Sequence, residues 1–68
     1  MAVKITLENN LNYKEERWLL NNIGPRQFYL HNMIGGKGWV AKRIKNSYMW
    51  ELTIEDEHLA DIFILKFK

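Results

Sequence analysis

The chain reads as a small α+β domain: an antiparallel sheet of three to four strands with two helices on one face, in the order β-α-β-β-β-α. Three features predict it. Residues 2–8, AVKITLE, alternate apolar and polar as a half-buried strand does. Residues 12–25 hold the start and stop signals of a helix. Residues 39–54 form two strand-like runs across a short polar turn.

In the first run Val3, Ile5 and Leu7 point one way, and Lys4, Thr6 and Glu8 the other. Asn9 and Asn10 end it. Asn12 offers an N-cap oxygen and Glu15 stands in capping-box position, so a helix is expected over Tyr13 to Asn22, burying Trp18, Leu19 and Ile23. Gly24 and Pro25 stop it, because glycine accepts a left-handed cap and proline cannot continue a helix. RQFYLHN, residues 26–32, reads as the second strand, and residues 33–38 as a glycine-rich connection.

WVAKRIK (39–45) and YMWELTI (48–54) read as a hairpin through Asn46 and Ser47. A two-residue turn sets Lys42 opposite Glu51, Arg43 opposite Trp50 and Ala41 opposite Leu52. Asn-Ser is a weaker turn signal than Asn-Gly, so a three-residue loop with a shifted register is the alternative. In the two-residue register, the sheet face away from the helices carries Val40, Ile44 and Met49 around the Lys42–Glu51 pair. That is more apolar than a face meant only for water. The tail, EDEHLADIFILKFK, opens with acids at 55, 56 and 57, which suit the positive end of a helix. Leu59, Ile62, Phe63 and Phe67 then recur at helical spacing. The same stretch also alternates as a strand, with Phe63, Leu65 and Phe67 on one face; the acidic first turn favours helix.

Sixty-eight residues make a single domain, 1–68. With 47% hydrophobic residues and nine aromatics, a core is feasible without metal or disulfide staples, and there is no cysteine to build them. A core of this size leaves no room for a deep walled cavity, so an enzyme is not expected. The first twenty residues lack an apolar leader core, and the densest apolar stretch, LADIFIL, falls far short of the roughly 20 residues that cross a bilayer. A cytoplasmic protein without a membrane segment is expected.

The net charge of +2 is unevenly spread. Residues 23–50 hold five bases and no acid, whereas residues 51–68 hold five acids against Lys66 and Lys68. The basic segment also holds Phe28, Tyr29, Trp39, Tyr48 and Trp50, and cations beside rings are the ingredients of a nucleic-acid surface. The plainer reading makes Phe28, Trp39 and Trp50 core and leaves the lysines to keep a sheet face soluble. GGKG (35–38) lacks the spaced glycines, the Lys-Ser/Thr pair and the following helix of a phosphate loop, so it reads as a connection needing positive φ. His31 and His58 have no ligand spacing with the acids, and the sole serine, Ser47, lies in a turn, so neither a metal site nor a catalytic set is expected.

The order α-β-β-β-α after residue 12, with GPRQFYLHN, resembles the double-stranded-RNA-binding domain. That family's last helix opens on lysines that clamp phosphates, where this chain has EDEHLAD, and that binding mode is rejected. The ending EDEHLADIFILKF, with Ala60, Phe63, Leu65 and Phe67 after an acidic turn, resembles small uncharacterised proteins of tailed bacteriophages, as does FYLHN followed by GGKGW. The resemblance implies a short phage reading frame acting in the host cytoplasm by binding a host or phage macromolecule. It carries over no functional residues.

The expected function is a small non-enzymatic binding module, a protein-interaction or host-modulating factor that uses a basic, partly apolar sheet face. Arg26, Lys37, Lys42, Arg43 and Lys45 would match charge, and Tyr29, Trp39 and Met49 would supply contact area. No cofactor is expected. Nucleic-acid binding by residues 26–50 is the alternative, and the segmented charge permits a homodimer.

Overall fold

The computed structural model describes residues 1–67. Its elements are β1 (Val3–Leu7), α1 (Tyr13–Asn22), β2 (Arg26–Leu30), β3 (Met33–Gly36), β4 (Trp39–Arg43), β5 (Trp50–Ile54) and α2 (Glu57–Phe67). All strands join one antiparallel sheet in the order β1-β5-β4-β3-β2. The chain lays down β1 at one edge, crosses the sheet with α1, and returns strand by strand from the opposite edge until β5 meets β1.

The sheet has five strands where three to four were expected, because residues 33–36 are a strand and not a connection. Two glycines lower strand propensity in isolation, but here neighbours occupy the space that side chains would fill. A Cβ on Gly35 would lie 2.5 Å from Phe28 Cζ, so the phenyl ring of β2 sits directly over the β3 backbone. Of the glycines, Gly38 alone has a positive φ, +86°, in the β3–β4 turn.

Local signals set the helices. Asn12 Oδ1 accepts from Glu15 N at 2.8 Å while Glu15 Oε1 accepts from Asn12 N at 3.0 Å, the reciprocal capping box. Asp56 Oδ1 accepts from Leu59 N at 3.1 Å and so caps α2, which is helical through Phe67. The strand reading of the tail is thereby excluded. Helical spacing turns Phe63 inward and leaves Leu65 86% exposed, two positions that a strand would have put on one face.

The core lies between the helices and one face of the sheet. Ile5, Leu7, Trp50, Leu52, Ile54, Trp39, Ala41 and Ile34 face Leu19 of α1 and Ala60 and Phe63 of α2. Trp18, Phe63 and Phe67 join the two helices through edge contacts, Trp18 to Phe63 at 5.7 Å between centroids. Among the described residues no buried side chain is polar or charged, apart from the ring nitrogens of tryptophan. No helix is long and apolar enough to cross a membrane among the described residues.

Candidate interaction surface

Side chains alternate across a strand, so burying Trp39, Ala41, Leu52 and Ile54 turns their neighbours to the other face of the sheet. No helix packs there. The pairing reads across that free face in two rows: Phe28, Gly35, Val40, Thr53, Lys4, and then Leu30, Met33, Lys42, Glu51, Thr6. Beyond Lys42 and Glu51 the β4–β5 hairpin continues with Ile44, whose N donates to Met49 O at 2.9 Å. The face is therefore apolar along β2, β3 and the hairpin end, and polar along β5 and β1. Phe28, Leu30, Ile44 and Met49 remain exposed, by 37% to 56%.

The hairpin keeps the two-residue register, Lys42 opposite Glu51 and Arg43 opposite Trp50, although regular pairing stops at Arg43 and Trp50, short of residues 45 and 48. Its end is a wider turn. Ser47 N donates to Ile44 O at 3.2 Å, and Asn46 takes φ 62°, a conformation that asparagine tolerates better than most residues. Arg43 Nε donates to Ser47 O at 2.9 Å, which ties the guanidinium to the turn. An open groove of about 660 Å³ follows, lined by Lys42, Arg43, Lys45, Ile44, Asn32 and Asn46, with Glu51 its one acid.

The residues expected to bind a partner thus separate into four places. Lys42, Arg43, Lys45 and Met49 gather at the hairpin end. Arg26 and Tyr29 meet at the β2 edge on the helix side, the guanidinium 5.2 Å from the ring centroid and 3.3 Å from Glu16 Oε2. Lys37 is exposed in the β3–β4 turn, its N donating to Pro25 O at 3.3 Å, at the end of β4 away from the groove. Trp39 corrects its expectation. It is 2% exposed, and its Nε1 donates to Gly24 O at 3.0 Å, so it locks the end of α1 to β4 and offers a partner nothing.

Leu30 and Asn32 belong to the surface but were missed, and Met33, expected as an exposed apolar residue of a loop together with Ile34, lies on this face while Ile34 is buried, because the face is defined only once β3 is recognised as a strand. The alternation of Phe28 with Leu30 was the available signal. Charge segregation persists in three dimensions. Among the described residues, Lys37, Lys42, Arg43 and Lys45 have no carboxylate within ion-pair distance, and Arg26 alone of the five cations is neutralised, by α1 and not by the acidic tail. Glu57 and Asp61 ride on α2, which packs against the opposite face of the sheet. No group of three metal-ligating side chains converges among the described residues. The sequence matches no family model, no curated protein and no solved structure.

Proposed function

We propose that this chain is a small non-enzymatic binding module that docks a protein partner on its free sheet face. One observation carries the reading: with the hairpin register fixed, one side of the sheet is left uncovered with Phe28, Leu30, Met33, Val40, Ile44 and Met49 beside Lys42 and Lys45, which form no ion pair among the described residues. Apolar contact area with a cationic rim fits a partner surface that is apolar at its centre and acidic at its margin. The acids of α2 lie on the other side of the sheet, and Glu51, opposite Lys42, is the one carboxylate that lines the groove.

Nucleic-acid binding is the second reading, because Lys42, Arg43 and Lys45 surround one groove. Its stacking half is weak: Trp39 and Trp50 are core, and of the exposed rings in the segment, Phe28, Tyr29 and Tyr48, none lines the groove. The resemblance of FYLHN, GGKGW and EDEHLADIFILKF to small tailed-phage proteins supports a host or phage macromolecule as the partner and the host cytoplasm as the setting.

Capture from bacterial lysate tests the reading with three proteins: wild type, the free-face variant Lys42→Glu/Ile44→Glu, and the helix-face control Leu65→Lys. The reading expects a protein that wild type and control retain and the folded free-face variant loses. Equal recovery by all three, or no recovery at all, overturns it. Oligonucleotide anisotropy at low salt is measured alongside. Sub-millimolar binding that falls steeply with salt transfers the face to nucleic acid.

A further inference from the structure

We propose that β2 is a dimerisation edge, at which two copies pair antiparallel about a two-fold axis at Tyr29 and join their sheets into one of ten strands. The two edges of this sheet differ. β1 buries Ile5 and Leu7 and carries exposed Lys4 within the strand, the kind of charge that protects an edge from pairing. β2 is exposed along its whole length and presents Phe28, Tyr29 and Leu30 in succession, at 37%, 64% and 56% exposure. An edge strand turns the N–H and C=O of alternate residues outward, and an exposed apolar stretch of edge such as Phe28–Leu30 is a template for another strand.

The structure also favours a second copy over a foreign strand. The only charge in β2, Arg26, is matched by Glu16 at 3.3 Å and lies over Tyr29, so two copies meet without cationic repulsion. The register irregularity between Arg26 and Phe28 confines regular pairing to Phe28–Leu30. An antiparallel two-fold at Tyr29 then sets Phe28 opposite Leu30 of the second copy twice, both pairs on the free face. Aromatic–aliphatic cross-strand pairs of this kind are favourable. The apolar rows of the two free faces become continuous across the junction. A domain of this size gains most from such an addition, since its own core buries a modest fraction of its surface.

Light scattering and sedimentation across micromolar to millimolar concentration give the first readout, and the expected mass rises to that of two chains. Tyr29→Lys, which puts two cations face to face, weakens the dimer by about ten-fold or more while its circular dichroism stays native. Because the chain has no cysteine, Tyr29→Cys supplies a second readout that does not depend on tolerating a charge. Paired strands bring the two Cα atoms to about 5.5 Å, within disulfide range, so this variant cross-links to itself on mild oxidation while Lys4→Cys at the other edge does not. A monomeric wild type overturns the proposal, as does a folded Tyr29→Lys protein that dimerises unchanged, or equal cross-linking by the two cysteine variants. None of these results bears on free-face docking, which the capture experiment reads separately.

Discussion

Replacing Trp39 with phenylalanine separates a structural lock from a contact residue. The indole is 2% exposed and its Nε1 reaches Gly24 O at 3.0 Å, across fifteen residues of sequence. Phenylalanine keeps an aromatic ring but removes the donor, and the carbonyl it leaves behind is buried. An orphaned buried acceptor costs about 1–3 kcal/mol. The smaller ring adds a cavity term of about 1 kcal/mol, a fraction of the 3–5 kcal/mol of full truncation to alanine. The sum, about 2–4 kcal/mol, is a large share of the roughly 3–10 kcal/mol available to a domain of this size. At about 4–8 °C per kcal/mol, Tm should fall by roughly 10–30 °C. Urea unfolding followed by far-ultraviolet circular dichroism measures the loss directly, with Trp18 and Trp50 retained as fluorescent reporters. A loss below about 0.5 kcal/mol, the range of ordinary surface substitutions, would refute the lock and return Trp39 to the surface.

Two further perturbations probe the helices. Phe63, fully buried against Trp18 and Phe67, should lose about 3–5 kcal/mol on truncation to alanine, whereas Leu65→Lys should stay within about 0.5 kcal/mol. Equal losses in chemical denaturation would mean that the tail is a strand with both residues inward. Asn12→Ala removes one half of the capping box and leaves Glu15 N without its partner, for an expected loss of about 1 kcal/mol and about 4–8 °C in a thermal melt. No change in Tm would show that α1 is held by tertiary packing alone.

The parts of the fold that were legible in the sequence are those set by neighbours along the chain. Asn12, Glu15, Gly24 and Pro25 bound α1 through contacts a few residues apart, and the acids before Leu59 marked the start of α2. The Lys42–Glu51 register followed from a short polar turn between two alternating runs. β3 was illegible for the opposite reason. Met-Ile-Gly-Gly has poor strand propensity, and what makes it a strand is the ring of Phe28 on one side and the pairing with β4 on the other. Losing β3 also hid half of the candidate surface, since Phe28, Leu30 and Met33 share a face with Val40 only through it. Trp39 went astray because a tryptophan beside lysines has the same sequence signature whether its indole is stacked on a partner or buried under a helix.

The position of β1 bears on the order in which the molecule assembles. β2 to β5 are joined by short turns, so this four-stranded meander closes from contacts made within a few residues of each hairpin. β1 instead has to find Trp50–Ile54, from Val3 against Ile54 at the far end of the chain. Bringing such distant segments together costs loop-closure entropy that the hairpins largely avoid. Of the strand pairings, β1 against β5 therefore carries the largest closure cost, and β1 is what caps the far side of β5.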